Sequence, residues 1–187
     1  MILKALILSG DVLKKQIYQT FHRVLIESLL NLEDEVKIFV TDLINMILPL
    51  YLEAEGFEKQ ISYLLKNLQK NLRNSDEIES SAISIFALIT RIIDSVADLK
   101  NLSIKFDLKT YCPFNFHQIL NVRFSYLQIL NKCLTNAAKT AFVEEDLRVL
   151  IRLTLQSLAM ERSKPLVQLN LSNLELLIRN LGPEKSA

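Results

Sequence analysis

Residues able to do chemistry are few and scattered in this chain. There are two histidines, His22 and His117, and two cysteines, Cys112 and Cys133. Neither histidine has a second His, Cys or carboxylate at metal-ligand spacing, so each reads as a helix-face or turn residue. The His–Cys pairs and the serines form no nucleophile constellation. Carboxylates gather in two runs, Glu33-Asp34-Glu35 and Asp76-Glu77 with Glu79 nearby. Paired carboxylates suit acid–base catalysis. Here both runs sit in polar turns ahead of apolar stretches, where Asp34 and Asp76 would cap the incoming helix and complement its dipole. The glycines, Gly10, Gly56 and Gly182, lie far apart, which excludes a loop whose backbone amides converge on a phosphate. No catalytic residue, metal site or cofactor site is predicted, and no small-molecule substrate.

The composition points to elements that position partners rather than reactants. Half of the 187 residues are apolar and 23% are charged, enough for a packed core and unlike a disordered chain. Lys and Arg number 22 against 21 Asp and Glu, for a net charge of +1, which argues against a protein that grips nucleic-acid phosphates along its whole length. Only 3 Gly and 4 Pro are present. Long helices joined by short polar turns fit those counts better than strands joined by Gly-rich hairpins. Two cysteines are too few for a disulfide framework, which predicts a reducing, intracellular setting with both thiols buried as small hydrophobes. The most apolar window, 80–90, is roughly half the length of a membrane span, so no membrane association is predicted.

A period organises the chain. Polar turns lead into helices that open on a branched apolar or Pro-Leu segment: 31–35 before Val36, 74–77 before Ile78, 118–121 before Val122, and 161–164 before Pro165-Leu166. The steps from 36 to 78, 122 and 166 are about 42, 44 and 44 residues, within the range of HEAT and armadillo units. Each period divides into two helical stripes at three- and four-residue spacing. Ile17, Phe21, Val24, Leu25 and Leu29 precede Val36, Phe39, Val40, Leu43, Ile44 and Ile47, after which Pro49 is expected to stop the helix. Ile61, Leu64, Leu65, Leu68 and Leu72 precede Ile78, Ala82, Ile85, Phe86, Ile89 and Ile93. Leu147, Leu150, Ile151, Leu155 and Leu158 precede Leu166, Leu169, Leu174, Leu177 and Ile178.

The predicted fold is therefore all-α, an α-solenoid of about four HEAT-type helix–turn–helix repeats. The whole chain is read as one array, with repeats over roughly 12–50, 57–94, 108–135 and 144–181. The third unit is irregular. Its first helix must be short, with Pro113 in the first turn, after a long loop over 94–110; a shorter loop covers 135–142. The apolar first helix (Ile2, Leu3, Leu6, Ile7, Leu8) and last helix (Leu171, Leu174, Leu177, Ile178) predict a segment of a longer array, because terminal repeats usually turn a polar face outward. Lys37 and Arg123 each follow the first Val of a second helix. Each reads as a structural cation bonding a neighbouring turn, with partner contact as the alternative.

Once the repeats are in register, three stretches resemble one family, the TATA-binding-protein-associated Swi/Snf-type ATPases, which strip TATA-binding protein (TBP) from DNA. The stretches are Leu25 to Lys37 running on to Pro49, Leu68 to Ile93, and Cys112-Pro-Phe-Asn-Phe-His117 with Ile119, Val122-Arg123 and Leu127-Gln-Ile-Leu130. The first is similar to that family's Leu-rich helix, acidic turn and Val-Arg-led helix. The third resembles its Pro-Phe, His and Val-Arg followed by a Leu-Gln-x-Leu helix. Cys112 stands where the family often has Trp, and the Asp-rich turns are only partly kept. The resemblance implies an interior part of the TBP-binding HEAT arm, nuclear, with the ATPase motor elsewhere and DNA engaged only indirectly. The candidate partner-binding residues lie in turns that repeat logic places on one edge: Glu33, Asp34, Glu35, Asp76, Glu77, Asn121, Arg162 and Lys164. Acidic turns there would complement a basic protein surface. Two alternatives stay open: a HEAT scaffold of another system, such as nuclear transport or a general transcription factor, and a weak nucleic-acid-binding repeat protein using Lys14, Lys15, Arg23, Lys66, Lys70 and Arg73.

Overall fold

The computed structural model describes residues 24, 34–53, 57–74, 79–96, 108–136 and 142–182. These residues are helical, with no strand among them, so the fold is all-α. The α-helices are α1 (Asp34–Glu53), α2 (Phe57–Asn74), α3 (Glu79–Ser95), α4 (Leu120–Thr135), α5 (Glu144–Met160) and α6 (Lys164–Leu181), with a 3-10 helix over Leu108–Phe116 between α3 and α4. The chain divides into two compact units, one holding α1 to α3 and the other the 3-10 helix and α4 to α6. Helix α1 opens at the first acidic run, and the starts of α3, α4 and α6 fall close to the other three predicted turns.

In the first unit, α3 packs against both α1 and α2. Its burial follows from that double contact: Ala82, Ile85, Phe86, Leu88, Ile89, Ile92 and Ile93 are all buried, more than one helical stripe can hold. Helix α1 buries Val40, Leu43, Ile44, Ile47, Leu48 and Tyr51, and α2 buries Ile61, Leu64, Leu65 and Leu68, each at three- and four-residue spacing. Val36 and Phe39, expected on the buried stripe of α1, are instead exposed near its amino end. Pro49 does not stop α1, which continues to Glu53 with the proline inside it. The missing N–H and ring clash normally cost about 3 kcal/mol; burial of Leu48 and Tyr51 on either side of the exposed proline offsets this.

In the second unit, α6 packs against α4 and α5, while the 3-10 helix packs against α4 and α5. The short first helix of the irregular segment is thus a 3-10 helix, nine residues long. Pro113 lies in its middle rather than its first turn. The 3-10 backbone accepts it there because its φ of −50 to −70° spans the value that the proline ring imposes. Three residues per turn puts every third side chain on one face, and burial obeys that count: Cys112 and Asn115 are buried, Pro113 and Phe116 exposed.

The α-helices of this unit begin alike, α5 on Val143 in the same extended, side-chain-uncapped way as α4 and α6. Ile119 and Ser163 cap α4 and α6 in extended conformations (φ −81°, ψ 124° and φ −76°, ψ 114°), neither with a side-chain cap bond. Their carbonyls accept from Arg123 N at 3.3 Å and Val167 N at 2.9 Å. Near the other ends, Asn136 Nδ2 donates to Lys132 O at 3.1 Å and Asn180 Nδ2 to Leu176 O at 2.8 Å.

The buried stripes of α5 and α6 keep Leu147, Leu150, Leu166 and Leu177 of the expected leucine stripes but complete them with polar residues. Leu147, Leu150, Thr154 and Ser157 are buried on α5, and Leu166, Asn170, Asn173 and Leu177 on α6. Leu155 and Ile178, expected inside, are 50% and 57% exposed, beside exposed Leu171. On the inner stripes, hydrogen bonds replace aliphatic contact. Asn131 Nδ2 on α4 donates to Asn173 Oδ1 on α6 at 2.9 Å, and Asn173 Nδ2 donates back to Leu127 O at 3.0 Å. Asn180 Nδ2 also reaches Leu134 O at 3.2 Å, and Asn170 Nδ2 reaches Ser157 Oγ on α5 at 3.3 Å.

Candidate functional site

The best-defined polar constellation joins two successive turns of the second unit. Arg123, one residue past Val122 on α4, points its guanidinium across the turn that precedes its own helix. Nη1 donates to His117 O at 2.7 Å and to Gln118 O at 3.0 Å. Nε donates to Glu161 Oε2 at 3.0 Å and Nη2 to Glu161 Oε1 at 3.4 Å, a two-point pairing of guanidinium and carboxylate. Glu161 belongs to the turn between α5 and α6, where its Oε1 also accepts Arg162 N at 3.0 Å and Ser163 N at 2.9 Å. Arg123 is therefore a structural cation binding a neighbouring turn, one of the two roles its place in the sequence allowed. Lys37, the matching position in α1, is 8% exposed.

Both members of the pair are sheltered, with side chains 18% and 7% exposed. Burial by itself would raise the Glu161 pKa; the N–H of Ser163, the Arg123 guanidinium and the N–H of Arg162 outweigh it and hold the carboxyl below its ordinary value. His117 completes the turn. Its Nδ1 accepts Ile119 N at 3.1 Å, and its ring stacks on Phe114 with centroids 6.1 Å apart and planes 23° apart. That i,i+3 stacking continues the three-residue repeat of the 3-10 helix.

Beside this clamp lies a cavity of about 230 Å³, lined by Asn115, Phe116, His117, Gln118, Arg123, Ser157, Met160 and Glu161. Asn115 is 2% exposed and its Oδ1 has no hydrogen-bond partner. Phe116 and Met160, by contrast, are 41% and 73% exposed.

A second group of reactive atoms lies inside the same unit. Tyr126 donates its hydroxyl to Cys112 Sγ at 3.9 Å, and Cys133 sits two turns further along α4. Neither cysteine is in a disulfide and both are buried, in keeping with the reading of them as small hydrophobes. Burial pushes the Cys133 thiol far above its ordinary range, and burial with the neighbouring Cys112 does the same to Tyr126. The Cys133 shift runs opposite to the depressed pKa of a nucleophilic thiol.

Of the predicted contact residues, Glu35, Asn121, Arg162 and Lys164 are exposed. Asp34 begins α1, while Glu33, Asp76 and Glu77 lie outside the described residues. In the second unit the turns carrying Asn121 and Arg162 are brought together by the Arg123–Glu161 pair, so the clamp and the cavity share their edge. Sequence reasoning missed Glu161, Asn115, Asn170 and Asn173. The two asparagines of α6 left a trace, as polar residues three apart within a leucine-rich helix. Asn115 left none, since its burial depends on a 3-10 count.

Among the described residues, no group of three or more His, Cys, Asp or Glu could hold a metal ion, and no helix is long and apolar enough to cross a membrane. No protein-family model, curated protein or solved structure matches the chain.

Proposed function

We propose that this chain is a protein-interaction scaffold, a stretch of HEAT-type repeats similar to an interior part of the TBP-binding arm of the ATPases named above. The observation that carries the reading is the order of packing. Second helices of successive periods lie against each other, α1 with α3 and α4 with α6. First elements do the same in the second unit, where the 3-10 helix meets α5. Stacking of like on like is what a repeat needs to bury a stripe that it cannot cover alone. The Arg123–Glu161 pair adds a fastening between successive turns, and the apolar outer flank of α5 and α6 (Leu155, Leu171, Ile178) is of the kind that stacked neighbours cover.

In this reading the chain binds and does not catalyse, in the nucleus, and its partner is met by the turn edge. Glu33, Asp34, Glu35, Asp76 and Glu77 supply negative charge to a basic surface of TBP, while Asn121, Arg162 and Lys164 extend the edge. Pull-down and titration with purified TBP test it. Retention of TBP that falls as salt rises, and is weakened by at least tenfold when Glu33, Asp34, Asp76 and Glu77 are changed to Lys, is the expected result. Equal, background-level retention by the natural and reversed-charge chains removes TBP as the partner.

A further inference from the structure

We infer that the outer stripe of α2, made of Lys59, Tyr63, Lys66 and Lys70, is a contact surface for single-stranded nucleic acid, with the lysines on its phosphates and the tyrosine against a base. The inference goes beyond the scaffold reading, and neither depends on the other.

The first ground is alignment. The three lysines are exposed, and Tyr63 is 40% exposed. At about 100° of turn per residue the four positions share about 60° of arc. They lie on the side of α2 opposite Ile61, Leu64, Leu65 and Leu68, which are buried. From Lys59 to Lys70 the stripe runs about 16 Å, the length of about five nucleotides in a stacked strand.

The second ground is charge that its own helix leaves unbalanced. The chain as a whole carries a net charge of +1, yet α2 holds four Lys and Arg against one acid, Glu58, in its first turn. Arg148 on α5 and Arg179 on α6 each pair with an acid one turn back, Glu144 at 2.7 Å and Glu175 at 2.8 Å. One turn back from Lys70 is Lys66, and one turn back from Lys66 is Ser62, which is buried. Like charges at that spacing weaken a helix where an acid would strengthen it. A polyanion laid along the stripe relieves the repulsion.

The choice among polyanions follows from the other residues of α2. An anionic membrane is entered by an apolar helix face, and the apolar face of α2 is taken up by its packing on α1 and α3. An acidic protein surface fits less well, because lysine is depleted in protein interfaces. Single-stranded nucleic acid uses both residue types present, lysine for phosphates and an aromatic ring for an unstacked base. A duplex offers the phosphates and no such base.

The full chain would be titrated against a fluorescein-labelled oligothymidylate of about twelve nucleotides, read by anisotropy over a range of salt. Three phosphate contacts predict a slope of about −2 in log K against log salt, and a dissociation constant of about 10⁻⁴ M at physiological salt. Lys59→Gln, Lys66→Gln and Lys70→Gln should each cut the slope by about 0.7. The three together should abolish measurable binding and leave the melting temperature unchanged, since all are at the surface. Tyr63→Ala should weaken binding about tenfold at the same slope, and Tyr63→Phe should not. Arg148→Gln combined with Arg179→Gln removes two exposed cations that are already paired, and should leave binding within about twofold. A duplex of the same length, polyglutamate and phosphatidylserine vesicles should all bind more weakly than the oligonucleotide. The inference is overturned by absence of salt-dependent binding, by a slope that the lysine changes leave alone, or by full affinity in Tyr63→Ala. Equal losses from the arginine and lysine changes, or a competitor bound as tightly as the oligonucleotide, overturn it too. Oligonucleotide binding without TBP retention keeps the stripe and changes the scaffold's partner; TBP retention without oligonucleotide binding removes the stripe alone.

Discussion

The two compact units solve the same problem, covering helical stripes, with different materials. Around α3 the cover is almost wholly aliphatic: Ile61, Leu64, Leu65, Ile85, Ile89, Ile92 and Ile93 are each fully buried. Buried polar atoms without a hydrogen-bond partner occur in both units, the hydroxyls of Thr41 and Ser62 here and Thr154 Oγ1 and Asn170 Oδ1 in the second. Around α6 the inner stripe alternates Leu with Asn, and those asparagines reach backbone or side-chain partners on α4 and α5. Apolar contact is non-directional and tolerates sliding, whereas a hydrogen bond to one named carbonyl fixes the register of one helix on another. The first unit is built for stability, the second for alignment of its turns.

Truncating Leu65 to Ala in α2 should have the largest effect, a loss of about 3 kcal/mol from transfer and cavity together, read by urea unfolding. A cost under about 1 kcal/mol would mean that the site collapses around the gap and the aliphatic unit is looser than its burial suggests. Asn173→Ala comes next. It removes the buried donor to Leu127 O and one of two acceptors of Asn131 Nδ2, which keeps Ser172 Oγ, and should cost about 1–2 kcal/mol. Its sharper signature is local: faster amide exchange in α4 and α6, with α1 to α3 unchanged. Uniform exchange across both units would erase the distinction drawn between them.

The smallest effect is set by pH. The folded-state pKa of Glu161 is lowered, so its contribution is complete above the ordinary carboxylate range and fades as pH falls through the folded value. Glu161→Gln should flatten the acid limb of the stability profile and leave Arg123 able to bond His117 O and Gln118 O. An acid limb identical in the natural and substituted chains would show that the clamp does not respond to protonation.

Helix type and the positions of the second helices were legible from sequence because they depend on apolar periodicity, a local property. The interior of the second unit was not. Val167, Leu171, Leu174 and Ile178 form one apolar stripe on α6 and Leu166 and Leu177 belong to another, and spacing alone does not say which one faces a neighbour. The stripe chosen is the one whose asparagines meet partners. Pro49 misled for a related reason: the local penalty of an internal proline is visible in sequence, while the burial of Tyr51 that offsets it is a tertiary fact. Within the candidate site, the prominence of Arg123 came from its place after Val122. Glu161 was hidden because its partner lies across the unit, in another turn.

The 3-10 helix has a consequence for distance. At about 2.0 Å of rise per residue, its nine residues extend about 18 Å, a length for which an α-helix uses about twelve. Nine residues thus give α4 and α5 a packing partner as long as an α-helix of more than three turns, the way a stretched spring spans a gap with less wire.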